Sequence, residues 1–140
     1  MQLTAKSLGL VFSGGALGAA ARFSISTIAQ PTVDARELGT AAATVLAWGQ
    51  LWPVLLVNLL GVALLAYVTY SPRFGDSAKA FLGTGFCGAF TTMSAVSLML
   101  IVLASPQLGA GPLTALVLHF FLGVAAYMGI KSLFNRGGAH

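Results

Sequence analysis

From Ala80 to Ile130 the chain carries no Asp, Glu, Lys or Arg. Inside that apolar run lies Gly83-Thr84-Gly85-Phe86-Cys87-Gly88-Ala89-Phe90-Thr91-Thr92-Met93-Ser94. Three glycines and adjacent threonines are poor material for an uninterrupted membrane helix, because each Gly costs about 1 kcal/mol relative to Ala. A helix that breaks there frees backbone carbonyls at membrane depth. Such backbone is tolerated only where it is buried in protein or lines a cavity. Freed carbonyls and hydroxyls are what a pore or a cation site needs. A Gly-rich face for close helix packing accounts for the same composition, and both readings stand at this level.

The rest of the chain sets this segment in a membrane. Of 140 residues, 57% are hydrophobic and 7% charged, against about 25% charged in a soluble domain. The mean hydropathy of +0.89 agrees. A membrane helix needs about 20 apolar residues. Four stretches qualify: Leu8–Ile28, which carries Arg22; Trp52–Tyr70, which carries Pro53 and Asn58; Ala80–Ala104; and Pro112–Phe134. Residues 1–7 are too short for a signal peptide, and no small-residue cleavage site follows a charged start. The first stretch is therefore expected as a retained helix. The expectation is an all-α membrane protein of four transmembrane helices, one domain over residues 1–140, with helix 3 broken at its centre. Cys87 is the only cysteine, which rules out an internal disulfide and suits packing. The net charge of +4 comes from basic residues scattered mostly at helix ends. Orientation in the bilayer explains them better than a nucleic-acid partner. Four helices make a thin bundle with little room for both a buried site and a sealed pathway, so oligomerisation is expected.

In helix 1, Gly14 and Gly18 form a GxxxG spacing that lets another helix approach closely. The connection Gln30–Leu51 ends in Ala41–Trp48, apolar enough for a short interfacial helix, with Trp48 and Trp52 suited to the membrane boundary. Ser71–Lys79 is expected as a loop, Ser105–Gly111 as a second, and Lys131–His140 as a frayed polar tail. Leaving out Arg22, the amino terminus, the 2–3 loop and the tail hold Lys6, Arg73, Lys79, Lys131 and Arg136, while the other two connections hold Arg36 alone. The positive-inside rule then places both termini in the cytoplasm of a multi-pass plasma-membrane protein. A protein that inserts equally in both orientations should show almost no such bias.

Three motifs together resemble one family, the Fluc (CrcB) fluoride channels. Gly14-Gly15-Ala16-Leu17-Gly18-Ala19-Ala20-Ala21-Arg22-Phe23 is similar to that family's helix 1 motif, Val57-Asn58-Leu59-Leu60-Gly61 to its helix 2 motif, and Gly83–Ser94 to its helix 3 motif. Order, spacing, length and helix count also fit. The resemblance implies an antiparallel dimer of four-helix subunits. Two narrow fluoride pathways run between the subunits, and a Na⁺ ion sits on the dimer axis, held by backbone carbonyls that fall on Gly88 and Thr91. Neutral carbonyl oxygens suit a hard monovalent cation.

A fluoride pathway must replace tightly held water with donors. Asn58 offers amide N–H groups; Thr92, Ser94 and Ser97 offer hydroxyls. Interhelical glue is the alternative role for Asn58. Arg22, the only charge well inside an apolar run, has three options: anion attraction at a vestibule, pairing with carbonyls, or snorkelling to the interface. The chain also departs from the family pattern. Two pore-lining Phe positions fall on Met93 and Val96, an acidic position on Met99, and a Gly-Thr pair on Val54-Leu55. A pore-facing Ser of helix 4 falls loosely on His119, which serves equally as a polar-track donor or a buried neutral imidazole.

A passive fluoride-exporting channel subunit is the leading expectation, because no nucleotide motif or intramembrane carboxylate is present to couple transport. A proton-coupled drug exporter wants a membrane-embedded acid, yet Asp34, Glu37 and Asp76 all lie in loops. A poorly conducting accessory subunit accounts for the altered lining. An enzyme is excluded by the lack of any nucleophile–base pair. The charge bias and the altered pore residues together point to a heterodimer with a paralogous partner of opposite orientation. A dual-topology homodimer is the alternative.

Overall fold

The structure, a computed structural model, describes residues 4–28, 40–97 and 111–137. All regular structure in the described residues is helical. In chain order the elements are α1 (Ala5–Ile28), α2 (Thr40–Tyr70), α3 (Asp76–Ala78), a π-helical stretch (Lys79–Cys87), α4 (Gly88–Phe90), α5 (residues 93–97) and α6 (Gly111–Gly137). Three spans are long and apolar enough to cross a membrane: Ala5–Ile28, Leu51–Tyr70 and Leu116–Arg136. The expected third crossing, Ala80–Ala104, is described as far as residue 97. Met99 lies outside the described residues, as do Asp34, Arg36, Glu37 and the connection 105–110.

Local chemistry sets the helix ends. Thr4 and Ser7 cap α1 reciprocally: the Ser7 N–H donates to Thr4 Oγ1 at 3.2 Å and the Thr4 N–H to Ser7 Oγ at 2.9 Å. After α2, Ser71-Pro72-Arg73-Phe74 turns the chain, with Phe74 N–H bonding Ser71 O at 3.4 Å and Pro72 in the second position. Three boundaries differ from expectation. The segment Ala41–Trp48 is continuous with α2, which runs 31 residues through Pro53 and is not a separate interfacial helix. Membrane helices tolerate such a proline when neighbouring groups re-satisfy the freed carbonyl. Within the expected loop Ser71–Lys79, the helix already resumes at Asp76. The tail expected from Lys131 is helical to Gly137. Packing extends that last helix: Tyr70 and Tyr127 hydroxyls lie 3.0 Å apart, and the Tyr67 and Phe134 rings 5.8 Å apart.

Two packing pairs organise the bundle: α2 against α6, and α1 against the π-helical stretch. The second is a backbone-to-backbone contact. A side chain at Gly14 would strike the Phe81 carbonyl, one at Gly18 the Phe86 carbonyl, and one at Gly85 the Val11 carbonyl. Gly14 and Gly18 are the buried residues of α1. The GxxxG spacing therefore meets helix 3 of the same chain. The outer faces of α1 and α6 present large apolar side chains such as Phe12, Phe23, Phe121 and Leu122, as lipid or a partner helix requires.

Candidate functional site

The regular helix stops at Phe90. Thr91 is extended (φ −79°, ψ 153°), Thr92 is also non-helical, and helix resumes at Met93. In a continuous helix the Thr92 N–H would donate to Gly88 O. Here it donates to Asn58 Oδ1 at 2.7 Å, and Asn58 Nδ2 donates back to Thr92 O at 3.0 Å. A single carboxamide thus satisfies both backbone groups of Thr92. Asn58 is 7% exposed and Thr92 is half-buried, so both bonds are partly withdrawn from water. Thr91 is fixed from the other side: its N–H and its hydroxyl both donate to Cys87 O, at 3.0 and 2.9 Å. Thr92 Oγ1 accepts from the Ala95 N–H at 3.3 Å and caps the resuming helix.

Gly61, one turn beyond Asn58, completes the seat. A Cβ at Gly61 would meet Thr91 Cγ2, so the glycine gives the Thr91 methyl its place against α2. The i, i+3 spacing puts both residues on one helix face. The spacing of the Val-Asn-x-x-Gly motif is the signal for this role, which the sequence reading left unassigned.

A cavity of about 740 Å³ opens beside this seat, between α2, the π-helical stretch, the interruption and α6. Asn58, Gly88, Thr91, Thr92, Met93 and His119 all line it. Lys79, Thr69, Thr84 and Tyr127 extend the polar lining; none was singled out from sequence for this wall. Asn58 and Thr69 stand about 16 Å apart along α2 at 1.5 Å per residue, roughly half a hydrocarbon core. The wall contains no carboxylate among the described residues and one formal cation, Lys79. The Asn58 amide, the His119 imidazole and the Lys79 ammonium put N–H donors on an otherwise largely apolar wall, while the Thr69 and Thr91 hydroxyls donate to the Leu65 and Cys87 carbonyls. The Gly88 carbonyl, deprived of its helical donor, is a neutral oxygen for a hard cation. A Cβ at Gly88 would meet nothing within 4 Å, so the space beside it is open. Thr91, in extended conformation, turns its carbonyl away from the helical direction. This donor set fits Na⁺ chemically.

The remaining expected residues fall as follows. Met93 is 63% exposed and faces the cavity. Val96 is fully buried and is absent from the cavity wall. Ser94 and Ser97 are exposed; the Ser94 hydroxyl lies 3.2 Å from Thr92 Oγ1, and the Ser97 hydroxyl donates to Met93 O at 3.0 Å. Arg22 is half-buried on α1, away from this cavity.

Membrane-length helices around a cavity with an interrupted wall define an all-helical, multi-span membrane protein. The chain belongs to the CrcB family: the description "CrcB-like protein, Camphor Resistance (CrcB)" matches residues 9–130. A fluoride-specific ion channel FluC of Methanopyrus kandleri is 34% identical over 135 residues, covering 92% of this chain and 89% of that protein. FluC 2 of Natronomonas pharaonis is 34% identical over 88% of this chain and 93% of its own length. FluC 1 of Rhodococcus jostii is 34% identical over 64% of this chain, which spans 56% of that longer relative. The family is one of ion channels and not of enzymes.

Proposed function

We propose that this chain is a subunit of a passive, fluoride-selective channel that lets fluoride leave the cell down its electrochemical gradient. The carrying observation is the cavity beside the interrupted helix, where Asn58, Thr92 and His119 come together with no carboxylate among the described lining residues. Relatives named fluoride-specific channels support the choice of ion. In this reading Asn58, Thr92, Met93 and His119, which line the cavity, belong to the anion pathway, and Ser94 and Ser97 continue it; Val96, fully buried and off the cavity wall, is a packing residue, and so is the half-buried Arg22. The interruption at Thr91–Thr92 is the central break of a membrane-crossing third helix, giving four crossings per subunit.

Gly88 and Thr91 carbonyls would hold Na⁺ on the axis of an antiparallel dimer, with matching carbonyls from the second subunit. A Na⁺ ion held there would supply a fixed positive charge beside the carbonyls of Gly88 and Thr91. This chain's own part is to hold the carbonyls in place and to present Asn58 N–H groups to the dehydrated anion. The Lys and Arg asymmetry favours one orientation with both termini cytoplasmic. Relatives numbered FluC 1 and FluC 2 are in keeping with a paralogue as the second subunit.

Fluoride efflux from liposomes tests the reading. Vesicles holding this chain with its partner should release fluoride and retain chloride. Asn58→Asp, which exchanges a donor for a negative charge on the pathway, should abolish that release. Wild-type efflux in this variant would remove Asn58 from the pathway.

A further inference from the structure

We propose that Asn58 is a positioning residue for the cation site: its carboxamide replaces the helical partner of Thr92, holds residues 91–92 out of the helix, and so keeps the Gly88 carbonyl available as a ligand. This rests on the Na⁺ assignment proposed above and adds to it a physical link between the anion pathway and the cation site. The interruption is a competition between two partners for one N–H. If Thr92 N–H bonds Gly88 O, the helix closes and the carbonyl is consumed. If it bonds Asn58 Oδ1, as at 2.7 Å here, the helix stays open and the carbonyl is spared. The return bond from Asn58 Nδ2 to Thr92 O at 3.0 Å locks the second partner of the same residue. Gly61 keeps the open form unobstructed by admitting Thr91 Cγ2.

Asn is suited to this task among polar residues. Asp keeps the acceptor for Thr92 N–H and lacks the donor; Leu matches the shape and lacks both. A carboxamide also carries two N–H bonds, and the clasp uses one of them. The second remains for the cavity that Asn58 lines. Positioning and anion contact are therefore separable functions of one side chain.

Hydrogen exchange of the full chain in its membrane assembly, in Na⁺ or in N-methyl-D-glucamine, reads the positioning role without reference to flux. In wild type, Na⁺ should slow exchange across residues 88–92. Asn58→Leu should speed exchange at Thr92 by about tenfold or more and raise the half-protecting Na⁺ concentration by about as much, the scale of one lost hydrogen bond. Exchange across Gly14–Gly18 should stay unchanged, reporting an intact bundle. Asn58→Asp keeps the acceptor for Thr92 N–H and sets a second oxygen against Thr92 O, so its Thr92 protection should fall between wild type and Asn58→Leu. Wild-type exchange and Na⁺ response in Asn58→Leu would overturn the proposal, as would absence of Na⁺ protection in wild type. Should Asn58→Leu fail to assemble, Asn58→Asp decides alone: Thr92 exchange and Na⁺ response identical to wild type in it overturn the clasp. Failure of the fluoride reading shows separately, as an intact exchange signature in a wild-type protein that releases no fluoride.

Discussion

The Cγ2 methyl of Thr91 occupies the space in which a side chain at Gly61 would begin. A residue of α2 and one of the interruption thus share one volume. Gly61→Ala requires the Thr91 side chain to rotate away from its bond to Cys87 O or the backbone to shift. Overpacking of this kind costs about 1–3 kcal/mol. The expected outcome is a lowered thermal midpoint in detergent together with weakened Na⁺ protection of residues 88–92. An unchanged midpoint would show that the segment relaxes freely.

Gly18→Val tests the contact between α1 and the π-helical stretch. The new side chain would strike the Phe86 carbonyl, which is backbone and cannot rotate aside. Loss of the close approach should remove properly assembled protein, measured as the monodisperse fraction after extraction. Gly9→Val is the control, because a Cβ at Gly9 meets nothing within 4 Å. Normal assembly of Gly18→Val would mean that α1 can stand further off.

Three of the expected spans are legible from composition, and Gly83–Ser94 from motif, while the contacts that join them are not. Gly83–Ser94 announced an irregular segment because glycine and threonine are scarce where a plain apolar helix is wanted. The partner of that segment could not be read. Asn58 grips the backbone of Thr92, 34 positions away, and backbone groups leave no signature in sequence. Gly61 was visible only as a motif letter, because its role depends on where the Thr91 methyl lands. Helix ends were misjudged where polarity was taken for disorder. Lys131 belongs to α6, and its ammonium lies 5.8 Å from the Tyr70 ring centre, a cation–π contact that pins the helix end to α2.

That end of the bundle yields a stability prediction. The Tyr70 and Tyr127 hydroxyls are 3.0 Å apart and their rings meet edge-on at 5.7 Å. Tyr127→Phe keeps the ring and removes the hydroxyl. A double-mutant cycle with Tyr70→Phe should return a coupling of about 0.5–1.5 kcal/mol, the net worth of one hydrogen bond. Zero coupling would assign the contact to ring packing alone.

Met93 offers a gain-of-function test. It is exposed on the cavity wall where an aromatic ring edge would present partial positive charge to an anion. Met93→Phe should raise fluoride efflux through the pathway lined by this chain, by several-fold if its lining limits conduction. Val96→Phe serves as the contrast: Val96 is fully buried, so the larger side chain should cost stability before it adds any flux. Equal efflux in wild type and Met93→Phe would show that methionine already serves the pathway.

The last prediction concerns what this chain assembles with. An antiparallel homodimer needs both orientations of one sequence in the same membrane. In the four-crossing topology proposed above, five Lys and Arg residues would share the side of the termini and the 2–3 loop (Lys6, Arg73, Lys79, Lys131, Arg136), against Arg36 on the other. Each positive charge left on the wrong side opposes insertion, so one topology should dominate. The chain expressed alone should then show both termini on the cytoplasmic side by cysteine accessibility, and should give little fluoride efflux when purified and reconstituted by itself. Co-expression with a paralogue of opposite charge bias should restore efflux. Moving the bias should mimic the partner: Arg73 and Lys79 exchanged for Gln, with two Lys placed in the 1–2 connection, should shift a fraction of chains to the inverted topology. Equal labelling of the wild-type termini from both sides, with strong efflux from the single purified chain, would establish the homodimer instead.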